Sequence, residues 1–333
     1  IPVSNSLSDP WAVVNAIVVS PSNSNRIYAA TWSGAKLSDD GGVTWSDPIG
    51  VALNASDVEA ASDGTVAFAI NGKCYISPNG NSGTYVDQSN AAPGDLPGTI
   101  PGDLQIAFSA DPNYVYASLA NVTGELFGVY KSTDKGDNWT QIGTGGSALF
   151  DPLDYSNALT VYPGVANKNV ILLGGDGLWK WTLSAGWEQI DSPFSNPANP
   201  FYVTSGKRSL KFAANNANLL YIGGDGGVFR SLDAAASFPT YSAMNRGLNI
   251  TPFFSVAFNN DGSEYMGSSN GNGTIYIDHL GNSYQEGFNL SGGDYGKSEI
   301  SMINNNGLIF STRYGGLRRS GNKGFTTNTF YSS

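Results

Sequence analysis

Apolar residues in this chain come in short runs, without the wide stripes of amphipathic helices. Runs such as Ala16-Ile17-Val18-Val19, Val66-Ala67-Phe68-Ala69-Ile70 and Val170-Ile171-Leu172-Leu173 are each closed by Gly, Asn, Asp, Ser or Pro. Short apolar segments between turn formers predict strands. In the first unit a strand at 16–19 leads through a turn at 20–25 to a second strand at 26–31. A turn at 32–34 and a third strand at 35–37 follow. The same order recurs to the end of the chain.

The motif that follows each third strand starts near 38, 77, 132, 182, 231, 277 and 320, a spacing of about 40–55 residues. Ten residues separate Tyr28 from Ser38, Tyr221 from Ser231 and Phe310 from Ser320, so register is kept between units. A unit of four short antiparallel strands cannot cover both of its faces alone and must stack on its neighbours. The fold expected is therefore all-β, a seven-bladed β-propeller in one domain over 1–333. Its blades fall at roughly 12–50, 51–90, 103–145, 157–190, 208–245, 252–288 and 298–333. Residues 1–11 lead into the inner strand of the first blade, and residues 325–332 supply the outer strand of the last.

The third strands end in a recurring motif. Ser38-Asp39-Asp40-Gly41-Gly42-Val43-Thr44-Trp45 and Ser132-Thr133-Asp134-Lys135-Gly136-Asp137-Asn138-Trp139 share Ser-x-Asp-x-Gly with a tryptophan at the eighth place. Short polar side chains at the first and third positions bond the backbone of a tight turn, glycine takes a left-handed residue, and tryptophan lies over the turn as a lid. Ser231-x-Asp233 with Phe238 as lid, Ser77-Pro78-Asn79 with Tyr85, Thr182-x-Ser184-x-Gly186 with Trp187, Ser320-x-Asn322-x-Gly324, and Gly281 with Tyr284 are weaker copies. The structural set expected is Ser38, Asp40, Gly42, Trp45, Ser132, Asp134, Gly136, Trp139, Ser231 and Asp233, placed between third and fourth strands.

These motifs resemble the Asp-box (BNR repeat) of sialidases, sortilin-type receptors and xyloglucanase-type glycoside hydrolases. Gly223-Gly224-Asp225-Gly226-Gly227, followed by Asn245-Arg246-Gly247-Leu248, looks especially like the sortilin-type and xyloglucanase-like propellers of secreted bacterial proteins. The resemblance implies an extracellular, secreted or surface-exposed protein. It also implies that the boxes close turns and take no part in chemistry. The xyloglucanase route uses two opposed carboxylates, in a cleft between two propellers. Here there is one propeller, and Trp32-Ser33-Gly34-Ala35 stands where that family carries its basic Asp. Sialidases need an arginine triad beside a tyrosine nucleophile. Arg208, Arg246 and Arg313 with Tyr314 are the residues to consider, yet the Phe/Tyr-Arg-Ile-Pro motif is missing.

Composition narrows the choice. The 333 residues carry a net charge of −10, which argues against nucleic acid or an anionic membrane surface as partner. No apolar run is long enough to span a bilayer. One cysteine, Cys74, and one histidine, His279, exclude an internal disulfide, Cys–His nucleophile pairs and ordinary zinc clusters. No cofactor or metal is expected, although the many aspartates leave an oxygen-ligand site, such as one for calcium, open. Asn-x-Ser/Thr sequons stand at 54, 121, 138, 249, 272 and 289; they matter only in a eukaryotic secretory route. The abrupt Ile1-Pro2 start reads as a processed or excerpted piece of a longer protein.

Long inter-blade connections are where function is usually placed. They fall at 88–103, 141–157, 188–207 and 285–297. With the turns after the second strands they form one loop-rich rim of aromatics interspersed with Asp and Asn, a composition suited to sugar or protein binding. The binding candidates are Trp32, Tyr155, Phe201, Tyr202, Arg246, Arg313 and Tyr314. Asp176, Asp225 and Asp294 are the carboxylates a hydrolase would use, although Gly-Gly-Asp-Gly at 174–177 and 223–226 reads first as a tight turn. The function expected is a non-catalytic extracellular module for adhesion, glycan or protein binding, or surface assembly. The alternatives are a glycoside hydrolase using rim carboxylates and a structural subunit of a filament or virion. Flanking domains or a larger assembly fit the first and third.

Overall fold

The computed structural model describes residues 11–89, 93–98, 102–145, 157–245, 253–260, 263–269, 273–278, 287–291, 297–304, 306–311 and 316–331. Among them the strands form seven antiparallel sheets in chain order, with no strand exchanged between sheets. The first holds β1 (Val14–Ser20), β2 (Asn23–Thr31) and β3 (Gly34–Ser38). The second holds β4 (Ala55–Ala60), β5 (Val66–Ile70), β6 (Lys73–Ser77) and β7 (Val86–Asp87), and the third β8 (Leu104–Phe108), β9 (Val115–Ala120), β10 (Leu126–Ser132) and β11 (Trp139–Thr144). The fourth holds β12 (Ala158–Val161), β13 (Val170–Gly174), β14 (Leu178–Thr182) and β15 (Gly186–Gln189). The fifth holds β16 (Lys207–Ala213), β17 (Asn216–Gly224), β18 (Gly227–Ser231) and β19 (Ser242–Ala243). The sixth holds β20 (Phe253–Phe258), β21 (Glu264–Ser269), β22 (Gly273–Asp278) and β23 (Gly287–Ser291), and the seventh β24 (Ser298–Ile300), β25 (Leu308–Ser311), β26 (Leu317–Ser320) and β27 (Asn328–Tyr331). This is the repeat of a seven-bladed β-propeller, as the motif spacing predicts. In the first sheet the fourth strand shrinks to one pair, Leu37 with Ser46, which exchange backbone bonds of 2.9 and 2.8 Å.

The chain divides into two compact units, Ile1–Gln189 with Phe212–Ala217, and Ile190–Lys211 with Asn218–Ser333. In the first unit the core is a series of layers between consecutive sheets. Tyr28, Leu37, Val58, Val66 and Phe68 fill the layer between sheets one and two. Ala67, Ile76, Leu104, Ile106, Val115 and Leu119 fill the next, and Tyr116, Val129, Ile171, Leu173 and Trp181 the third. In the second unit Met266, Tyr276, Ile300, Leu308 and Phe310 pack sheet six on sheet seven.

The turns after the third strands have the chemistry expected of their residues. Ser38 Oγ accepts the Gly42 N–H at 2.9 Å and donates to Asp40 Oδ1 at 2.8 Å. Asp40 in turn accepts the Thr44 hydroxyl at 2.6 Å and the Thr44 N–H at 2.8 Å. These Thr44 bonds, with the Ser38 hydroxyl, hold the Asp40 carboxyl down to about 2. Trp45 Nε1–H donates back to Gly42 O at 3.0 Å, fixing the lid. Around Ser132, the Gly136 N–H donates to Ser132 Oγ at 2.8 Å and the Asn138 N–H to Asp134 Oδ1 at 2.9 Å. At Ser77, Asn79 replaces the aspartate, and the Tyr85 hydroxyl donates to Gly80 O at 3.4 Å, as the Trp45 indole does to Gly42.

Two lids differ from expectation. Phe238 stands 68% exposed, while Tyr241 is buried. The turn after Ser231 is three residues longer, so Asp233 accepts from Thr240 N–H and hydroxyl (2.8 and 2.9 Å), and the lid is the next residue, Tyr241. Trp187 lies inside β15 opposite Trp181, and its indole donates to Ile142 O of the preceding sheet at 3.0 Å. The Gly281 and Tyr284 copy lies outside the described residues, as do residues 1–10.

The motif also does something its residues alone do not reveal. The backbone N–H of its fourth residue donates to the carbonyl of an asparagine in the turn between first and second strands or in the first residues of the second strand. The pairs are Gly41 to Asn25 (2.9 Å), Lys135 to Asn113, Ala234 to Asn218 and Lys323 to Asn306 (3.0 Å each). The fourth residue is left-handed in three of them, Gly41 (φ 74), Lys135 (φ 61) and Lys323 (φ 56). Where it is lysine, its amine reaches an acid of the preceding sheet: Lys135 bonds Asp63, and Lys323 bonds Glu264. The motif therefore ties two turns of its own blade together and, in sheets three and seven, clips that blade to its neighbour.

Candidate functional site: the rim of loops opposite the boxes

Antiparallel order puts the second-to-third-strand turns and the inter-sheet connections at the end of each sheet away from the boxes. In the first unit Trp32 sits at such a turn, 49% exposed. Its N–H donates to Val13 O (3.1 Å), and Thr31 Oγ closes the turn on Gly34 O at 2.9 Å, so the indole is carried on a fixed backbone. Asp176 lies in the β13–β14 hairpin, where Gly175 N–H donates to Gly177 O at 2.9 Å; the Asp176 side chain is buried. That is the tight-turn geometry its Gly-Gly-Asp-Gly context suggests.

In the second unit the connection from 190 to 206 is the most elaborate among the described residues. The Ser192 N–H donates to Phe201 O at 2.9 Å, closing residues 192–201 into a compact loop. Inside it, Ser195 Oγ donates to Ser192 O (2.8 Å), Ala198 N–H to Asn196 Oδ1 (2.9 Å) and Phe201 N–H to Asn199 Oδ1 (2.9 Å). Asx turns of this kind let Asn and Ser order a loop that has no sheet to join. The Tyr241 N–H donates to Pro200 O at 2.8 Å and its hydroxyl to Ile190 O at 3.1 Å, pinning the loop's two shoulders. The loop presents Phe194 at 63% exposure, flanked by Ser195 and exposed Asn196.

Beneath the loop is a buried ion pair. Lys207 Nζ lies 2.6 Å from Asp191 Oδ2, and both side chains are 0% exposed. Asp191 opens the connection and Lys207 begins β16, so the pair joins the loop's root to the sheet. Tyr202 is buried, with its ring edge-on to Phe229 at 6.0 Å. It supports the loop and does not form part of its surface, a correction to its expected place among the binding residues. Phe201 is half-buried.

Asp225 occupies the tip of the β17–β18 hairpin, and its carboxylate takes Arg208 in a fork, Nε to Oδ1 at 2.7 Å and Nη2 to Oδ2 at 3.3 Å. Arg208 is thus committed to a carboxylate of its own sheet. Asn245 closes the same hairpin: its Oδ1 accepts the Val228 N–H and its Nδ2 donates to Gly226 O, 2.8 Å each. This gives the pairing of Gly-Gly-Asp-Gly-Gly with a downstream asparagine a structural reason. The amide of Asn245 acts as a piece of β-strand backbone across a hairpin tip whose Gly227 has φ 103.

Asp294, Tyr155, Arg246, Arg313 and Tyr314 lie outside the described residues. Among the described residues no group of three or more His, Cys, Asp or Glu is placed to hold a metal ion, and no helix is long and apolar enough to cross a membrane. Composition could not have singled out the Lys207–Asp191 pair, since a surface lysine and a core lysine look alike in sequence.

The class defined by these sheets is the β-propeller. No protein-family model matches the chain, and no curated protein matches it. Among solved structures it is similar to the GH74 enzyme of Niastella koreensis at 17% identity, covering 95% of this chain and 55% of that one, TM-score 0.41. It is similar to YCF48 from Cyanidioschyzon merolae at 14% identity, covering 96% and 95%, TM-score 0.46. It is also similar to PorZ, a bacterial surface component of the type-IX secretion system of Porphyromonas gingivalis, at 14% identity, covering 96% and 40%, TM-score 0.46. The chain thus spans about half the length of the GH74 enzyme it resembles.

Proposed function

We propose that this protein is a non-catalytic binding module of the Asp-box kind, working outside the cell or at its surface. It takes a glycan or protein ligand on the rim that carries residues 190–206. One observation carries the reading: this connection is held rigid by its own hydrogen bonds and by a fully buried ion pair, while it holds Phe194 out to solvent. A loop ordered before it meets a ligand loses little entropy on binding, and an exposed ring on a fixed frame is a contact surface. The two described rim carboxylates support binding over cleavage. Asp225 is engaged by Arg208 through both oxygens, and Asp176 is buried in its hairpin.

The test is a screen of the fluorescently labelled protein on arrays of neutral and acidic glycans and of cell-surface proteins, repeated with Phe194→Ala. Specific binding that falls at least tenfold in the variant supports the proposal. Binding that survives Phe194→Ala and Phe201→Ala together refutes the 190–206 loop as the site.

A further inference from the structure

The Ser-x-Asp-x-Gly motif engages some of its positions and leaves others to the solvent. Its first, third and fifth residues close the turn, as Ser38, Asp40 and Gly42 do. Its sixth residue projects. Val43 and Asp137 are exposed there in the first and third sheets, and Phe325 is 88% exposed in the seventh. The turn asks nothing apolar of that position, since Asp137 serves in it. In sheet seven the motif keeps its bonds. Ser320 Oγ accepts the Gly324 N–H at 2.8 Å and Asn322 Oδ1 the Thr326 N–H at 2.9 Å, so Phe325 stands on a fixed turn.

The connection between β24 and β25 lies at the same end of the sheet. The Ser301 N–H donates to Gly307 O and the Gly307 N–H to Asn304 O, 2.8 Å each, and Ser301 Oγ accepts the Asn304 N–H at 3.1 Å. This turn holds Ile303 out at 99% exposure, with exposed Met302 beside it. The bond from the Lys323 N–H to Asn306 O ties it to the motif turn. Three large apolar side chains are thus carried by one bonded pair of turns that has no structural use for them.

We propose that this end of the seventh sheet is a membrane contact, with Met302, Ile303 and Phe325 entering the interfacial layer of a lipid bilayer. Apolar groups grouped at a surface mark a place of interaction. Side chains standing almost clear of their own protein suit a bilayer, which takes up protruding apolar groups without a matching surface. A protein partner would need a pocket shaped to each. Exposed Asn304, Asn306 and Asn322 flank the tip with uncharged groups able to bond lipid headgroups.

Charge points the same way. Residues 297–333 hold five Lys or Arg and a single acid, Glu299, in a chain of net charge −10. Exposed Arg319 immediately precedes the motif serine. The whole-chain sum argues against an anionic surface as a general partner, but this region has the opposite sign. An anionic bilayer attracts it and repels the rest, which turns the tip toward the lipid. The contact goes beyond the rim reading and does not rest on it.

The test is flotation of the whole chain with vesicles of phosphatidylcholine containing a minor share of phosphatidylglycerol. The double variant Ile303→Asn with Phe325→Asp is expected to fold, because both positions are exposed and the third motif already carries aspartate at its sixth place. The wild type should float, and the double variant should bind at least tenfold more weakly. Phe194→Ala should float as the wild type does. In Phe325→Trp, the emission added over the wild type should be quenched by brominated acyl chains. A wild type that does not float overturns the proposal, as does flotation that the double variant retains or an unquenched Phe325→Trp. Loss of protein-array binding in the double variant, without flotation of the wild type, would give the tip to a protein partner instead and likewise overturn the membrane contact.

Discussion

Replacing Lys207 by methionine keeps the length and apolar stem of the side chain and removes its charge. Because Lys207 and Asp191 are both 0% exposed, the substitution leaves the carboxylate in the interior without its cation. Breaking a buried pair from one side costs about 3–5 kcal/mol, since the remaining charge stays in the interior. With a urea slope of about 2–3 kcal/mol/M, that is a fall in the unfolding midpoint of about 1–2 M. The double variant Lys207→Met with Asp191→Leu removes both charges, and apolar replacements of buried pairs are neutral to stabilising. It is expected to recover to within about 1 kcal/mol of wild type. Urea unfolding followed by circular dichroism, completed as a double-mutant cycle, reads both numbers. A single variant that loses less than about 1 kcal/mol, or a double variant no better than the single, would show that the pair is not what fixes residues 190–206.

The Ser132→Ala variant leaves the buried turn at Gly136 without its acceptor and is expected to lose about 1–2 kcal/mol, read from thermal unfolding. Asn245→Ala removes both bonds that close the β17–β18 hairpin, and amide exchange at Val228 should rise at least tenfold while distant sheets keep their protection. Asp40 lies below the ordinary carboxylate value, at about 2, so its contribution is present above about pH 4 and is lost as pH falls through about 2; an acid melt of Asp40→Asn should lack that component. Phe194→Ala should change stability by no more than about 0.5 kcal/mol, because the ring is exposed, while abolishing rim binding.

Much of the fold was legible because each blade repeats the same local instructions. Apolar runs alternating with Gly, Asn and Asp marked the strands, and the spacing from Tyr28, Tyr221 and Phe310 to the following serine carried the register. Where a unit departs from the pattern, local reading failed. The longer turn after Ser231 moved the lid from Phe238 to Tyr241, and the shortened turn after Thr182 absorbed Trp187 into β15. A motif read at fixed offsets cannot anticipate an insertion of three residues. The asparagine carbonyls of 25, 113, 218 and 306 were invisible for another reason: they act through backbone, which carries no residue signature. At the rim, aromatic composition marked the 188–207 connection but not which ring faces out. Tyr202 packs on Phe229 and Phe194 does not, and that depends on the loop's hydrogen bonds and on a buried lysine.

A ligand from the array screen, titrated calorimetrically against the wild-type chain and then recovered for mass analysis, bears most directly on a rim that binds without cutting. Saturable binding that disappears in Phe194→Ala, with the ligand recovered at its original mass, is the result expected. Shortened products that vanish in Asp225→Asn or Asp176→Asn would show that the rim carboxylates are catalytic.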